Sequence, residues 1–108
     1  MKSYTSLEQS MMLSEILPLE SADMYYPLPY EDGDKPLLEQ GGFGSTPCWS
    51  LSALLSVIPY YSLHKTFSGL RCDSYNKEGT SCILGEPSDN PIDACVVMIE
   101  KLHELNLL

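Results

Sequence analysis

The sequence predicts an α+β fold, a small antiparallel sheet of about 3–4 short strands packed by about three helices. Three observations predict it. An apolar stripe at helical spacing runs over 91–105 near the end of the chain. Two shorter helical patterns lie earlier, and a proline follows each. Between these patterns, apolar residues alternate with polar ones or crowd into aromatic stretches broken by Gly and Pro, as strands and turns do. The chain has 108 residues and is read as a single domain, 1–108.

Ser6-Leu7-Glu8-Gln9 has the capping-box pattern, and Met12, Leu13, Ile16 and Leu17 follow at helical spacing before Pro18, so a first helix is expected over 6–17. One short further turn is expected over Leu19 to Asp23. Met24-Tyr25-Tyr26-Pro27-Leu28-Pro29-Tyr30 combines aromatics with two prolines, which predicts an edge strand or an extended arm. Glu31-Asp32-Gly33-Asp34 reads as a turn. It lacks the spaced carboxylates and terminal Glu of a calcium loop. Pro36 to Gln40 reads as a second short strand, and Gly41-Gly42-Phe43-Gly44-Ser45 as a loop. Thr46-Pro47 or Ser50 caps a second helix filled by Trp49, Leu51, Leu54, Leu55 and Ile58 and closed by Pro59.

From Tyr60 to Ser74 the pattern is mixed. Phe67, Leu70 and Cys72 suggest a strand whose Arg71 and Asp73 point the other way. Asn76-Lys77-Glu78-Gly79 reads as a hairpin turn, with Thr80 to Gly85 as the partner strand. The last helix has Asn90 as N-cap, Pro91 at its first position and Asp93 in its first turn. Ile92, Cys95, Val96, Ile99 and Leu102 form its apolar face.

Fifteen acids against six bases give a net charge of −9, which argues against nucleic acid and anionic membranes as partners. Residues 1–47 carry −6 (eight acids, two bases) and residues 48–108 carry −3 (seven acids, four bases). A soluble acidic surface follows, and the sharper alternative is an acidic face that imitates DNA phosphates and inhibits a nucleic-acid-binding protein. No apolar run approaches a membrane span, and the first ten residues contain Glu8 and no apolar core, so neither a span nor a secretory leader is expected. A cytoplasmic location follows, where Cys48, Cys72, Cys82 and Cys95 would stay reduced. No CxxC pair and no His pair at ligand spacing exists, no Walker loop and no G-x-G-x-x-G, so neither metal nor cofactor is expected. Cys72 and Cys82 are the one pair placed to face each other across a hairpin.

Cys48 is the catalytic candidate, at or just before a helix start. Gln40-Gly41-Gly42-Phe43-Gly44-Ser45 followed by Cys48-Trp49-Ser50 resembles the papain-like cysteine proteases, which would make Cys48 the nucleophile and Gln40 the oxyanion donor. Thr46-Pro47 interrupts that motif, the chain is about half the length such proteases need, and neither His64 nor His103 stands where a base is required. His103 reads instead as a structural residue at the end of a helix, and Trp49 as a core anchor.

The tyrosines suggest binding. Tyr25, Tyr26 and Tyr30 crowd one arm, where amphipathic rings suit an interface, and Tyr60 and Tyr61 flank another break. Tyr25, Tyr26 and Tyr30 are therefore the candidate binding residues, with another protein or a second copy of the chain as partner.

Gln9-Ser10, Ser21-Ala22-Asp23-Met24, Pro47-Cys48-Trp49-Ser50-Leu51-Ser52-Ala53-Leu54-Leu55, Asp89-Asn90-Pro91-Ile92-Asp93-Ala94-Cys95 and Leu102-His103-Glu104-Leu105 occur in that order. In these segments the chain resembles small uncharacterised proteins carried on prophages and other mobile elements of gut Bacteroidales. The resemblance covers nearly the whole chain. It implies a cytoplasmic protein of mobile-element origin and transfers no activity, cofactor or site. The function expected is a non-enzymatic interaction or regulatory module, with the acidic inhibitor and a small cysteine hydrolase centred on Cys48 as alternatives.

Overall fold

In a computed structural model the described residues form two three-stranded antiparallel sheets and three α-helices, an α+β fold. The structure describes residues 3–27, 36–38 and 45–108. The expected turn at 31–34, Gln40 and the loop residues 41–44 lie outside the described residues.

Helix α1 (Leu7–Leu13) starts on the capping box. The Ser6 hydroxyl accepts from the Gln9 amide at 3.1 Å, and Gln9 Oε1 accepts from the Ser6 amide at 3.0 Å. It ends four residues earlier than the expected 17, because Pro18 disfavours helical backbone at Leu17 and the last turn tightens. Ile16 and Leu17 both donate to the Leu13 carbonyl. A 3-10 turn (Leu19–Ser21) leads into strand β1 (Met24–Tyr26).

β1 is central, between β2 (Leu37–Leu38) and β3 (Thr46–Cys48), rather than the expected edge. It is only three residues long, so Pro27 falls outside the ladder. Pro47 opposite Tyr25 is tolerated because β3 is an edge. Where one sheet was expected there are two, and the first includes Thr46–Cys48, a strand where Thr46-Pro47 had been one of two expected caps. Ser50 caps α2 (Leu51–Val57), its hydroxyl accepting from the Ala53 amide.

The second sheet is a meander of β4 (Tyr61–Thr66), β5 (Gly69–Tyr75) and β6 (Cys82–Ile83). Helix α3 (Pro91–Glu104) matches the expected 91–105 to one residue. Its Asn90 cap accepts from the Asp93 amide at 2.9 Å, and Gln9 Nε2 reaches Asp93 Oδ1 at 2.8 Å, tying α1 to α3. The helix closes in a Schellman turn. Leu107 N–H bonds the Leu102 carbonyl, Asn106 N–H bonds the His103 carbonyl, and Asn106 takes φ 60°.

The five expected face residues of α3 are buried, and so are Ala94 and Met98. The stripe is wider than a single contact needs because α3 packs on both β5 and α2. Trp49, fully buried, anchors the other side of this core, and its Nε1 donates to Ser21 Oγ. Among the described residues, no helix is long and apolar enough to cross a membrane.

Candidate functional site

The described residues among those singled out in sequence do not converge. Tyr26 is buried, and its hydroxyl donates to the Thr5 carbonyl at 2.8 Å. It is therefore a core residue and is corrected from the binding set. Tyr25 is half-buried on β1, opposite Leu37 and Pro47. Tyr30 lies outside the described residues.

Cys48 is fully buried, and its thiol donates to the Thr5 carbonyl at 3.4 Å. Burial pushes that thiol up, so the thiolate a nucleophile needs is disfavoured. Thr5 Oγ1 also accepts from the Trp49 amide and lies 2.7 Å from Ser10 Oγ. This polar knot ties the N-terminal segment to β3 and holds no base. This surrounding weighs against cysteine hydrolysis centred on Cys48.

The remaining thiols are equally accounted for. Cys72 is buried opposite Leu63, whereas Cys82 is exposed and opposite Tyr75. Cys72 and Tyr75 lie on opposite faces of β5, so Cys72 and Cys82 do not face each other. Cys72 instead meets Cys95 of α3, and their hydrogen bond, with burial, pushes the Cys95 thiol up. All four thiols are free.

One polar cluster was missed in sequence. Ser62 pairs with Asp73 and His64 with Arg71, so all four side chains share one face of the β4–β5 ladder. Asp73 is buried at its centre. Its Oδ1 accepts from the Gly85 amide at 3.0 Å, and its Oδ2 accepts from Arg71 Nη2 at 3.0 Å. Arg71 Nε lies 2.9 Å from Oδ1 but is not aligned for a hydrogen bond, so that contact is purely ionic.

A serine, a histidine and a carboxylate meet here, yet they do not form a relay. Ser62 Oγ and Asp73 Oδ2 both approach the same nitrogen, His64 Nε2, at 2.8 and 3.3 Å. A triad needs the carboxylate on the other ring nitrogen. The cluster is a brace that pins the 84–86 segment across β5. His103 is exposed at the end of α3. Among the described residues, no three His, Cys, Asp or Glu side chains gather as metal ligands.

Two surface features remain. The first is a cleft of about 400 Å³ between the ends of β5 and β6 and the last turn of α3, lined by Tyr60, Tyr75, Lys77, Cys82, Leu102 and Leu107 among others. Its wall is mostly apolar, and Lys77 is the only charged residue on it among the described residues. Cys82 beside Tyr75 pushes that phenol up.

Tyr60, on the rim, is more than half exposed and has φ 43°. It follows Pro59 in a turn where Gly is the unstrained choice. Two bonds fix this turn: Ser74 Oγ donates to the Pro59 carbonyl at 2.7 Å, and the Tyr75 amide donates to the Tyr60 carbonyl at 3.2 Å. The only sequence signal was the tyrosine next to a proline break.

The second feature is strand β4, which has β5 on one side and no described strand on the other.

The acids show a different pattern. Asp23 accepts from the Ser50 amide and hydroxyl, and Asp73 and Asp93 are bonded internally as above. Glu8, Asp93 and Glu100 line a shallow depression between α1 and α3. Comparison with known proteins returns no match to a family model, a curated protein or a solved structure.

Proposed function

We propose that this protein is a non-enzymatic interaction module that binds another protein through the cleft beside Tyr60. The observation that supports this reading is the backbone of Tyr60. A bulky residue at positive φ costs about 1–2 kcal/mol, and such strain, held here by the two bonds that fix the turn, clusters at binding sites. Here the ring stays exposed at the mouth of an apolar cleft, the arrangement that receives an anchor side chain from a partner. Lys77, the one cation among the described residues of the wall, selects an anchor that carries a carboxylate beside it. The partner motif is thus an apolar residue followed by an acidic residue or by a free C-terminus. Free thiols throughout fit a reducing compartment such as the cytoplasm.

N-acetyl-L-phenylalanine, an apolar ring next to a carboxylate, is the minimal probe. In a two-dimensional amide NMR titration it should shift Tyr60, Tyr75, Lys77 and Leu107 saturably. Its uncharged amide should bind several-fold more weakly, and Lys77→Gln should erase that difference. Shifts that never saturate, or that centre on α1 and β1, would overturn the reading.

A further inference from the structure

The cleft leaves β4 unused. Thr66 and Gly69 flank a two-residue turn, Phe67-Ser68, and so form a hydrogen-bonded pair. Alternation then aims the backbone groups of Ser62, His64 and Thr66 at β5, in agreement with the Tyr75 amide bonding the Tyr60 carbonyl. The N–H and C=O groups of Tyr61, Leu63 and Lys65 point outward. No described residue hydrogen-bonds them. Among the described residues nothing pairs with this six-residue edge, which has neither proline nor bulge and is a template for another strand.

We infer that the strand it accepts is β4 of a second copy, antiparallel, with Leu63 on the two-fold axis. In that register Leu63 meets Leu63 of the second copy and Tyr61 meets its Lys65, so every outward N–H and C=O group of both strands is paired. A shift by two residues leaves an end of each strand unpaired, and a shift by one turns the side chains to the wrong faces. The side chains agree with this register. Lys65, the only full charge on β4, lies against a tyrosine ring rather than another lysine, and Ser62 lies opposite His64.

Charge agrees as well. Residues 40–72 contain no Asp or Glu, although the whole chain carries −9. The edge strand itself therefore brings no acid to the contact, and the repulsion that remains is that of the net charge of the two whole chains. The product is a continuous six-stranded sheet made by an isologous contact. Tyr61, Leu63 and Lys65, which carry the contact, do not line the cleft, so this inference stands or falls apart from the cleft reading.

Sedimentation equilibrium across a wide range of concentration tests it. The protein should show a reversible monomer–dimer equilibrium that tightens as salt screens the net charge. Lys65→Pro removes one outward donor and no bond to β5, and should weaken the dimer about tenfold or more. Tyr61→Lys sets like charges opposite and should weaken it, whereas Tyr61→Glu faces Lys65 and should tighten it, each by about three- to tenfold. A monomer at every concentration would overturn the inference. So would a dimer that a folded Lys65→Pro leaves unchanged, or one that both Tyr61 variants shift in the same direction. Should Lys65→Pro melt early, the opposed Tyr61 variants still decide.

Discussion

Asp73 is the residue whose loss should be felt most, and its cost follows from its contacts. In Asp73→Ala the half-buried Gly85 amide loses its acceptor, at a cost of about 1–3 kcal/mol whose upper end belongs to a fully buried donor. The Arg71 guanidinium loses its counter-ion, but its side chain is 31% exposed, so water recovers part of that contact and about 1 kcal/mol remains. His64 is 40% exposed and adds little. The sum is about 2–4 kcal/mol, a large part of the stability of a domain this size. Asp73→Asn keeps an acceptor for Gly85 and loses only the charge, so it should cost about half as much. Urea unfolding followed by far-UV circular dichroism reads both values. An alanine variant within about 0.5 kcal/mol of wild type, inside the range of an ordinary surface substitution, would refute the idea that this carboxylate braces the hairpin.

Gly85 passes so close to β5 that an added Cβ would sit about 2.1 Å from the Cys72 carbonyl oxygen, so Gly85→Ala should destabilise by about 2 kcal/mol or more in the same assay. Asn106 holds the left-handed position of the Schellman turn, and Asn106→Gly should raise stability by about 0.5–1 kcal/mol, with no gain if that turn is not formed in solution. With an aromatic disulfide reagent at neutral pH, Cys82 should react at once and the other three thiols only in denaturant. A comparably fast Cys48 would reopen the nucleophile reading.

Local signals carried the helices well. Asn90, Pro91 and Asp93 mark the start of α3 because capping is a contact within one turn, and Ser6 with Gln9 marks α1 for the same reason. Among the strands, β1 and β2 lie inside the stretches expected at 24–30 and 36–40, β5 covers the expected Leu70 and Cys72, and β6 follows the turn at Asn76 to Gly79. β4 was not legible, because the polar Ser62 and His64 are held on its outer face by Asp73 of the neighbouring strand, and alternation alone does not reveal that. Tyr26 was misjudged for a related reason. The partner of the Tyr26 hydroxyl is the Thr5 carbonyl, twenty-one residues away, and long-range satisfaction leaves no local mark. Tyr60 was visible as a tyrosine beside Pro59, but its strained backbone is a property of the closed turn.

The most direct test of the cleft as a recognition site is Tyr60→Gly, measured for stability and binding together. Glycine relieves the backbone strain and removes the ring, so the expected result is a melting temperature equal to or above wild type, with binding of N-acetyl-L-phenylalanine about tenfold weaker or lost. A variant that is equally stable and binds the probe as tightly as wild type would contradict the assignment of the cleft as the recognition site.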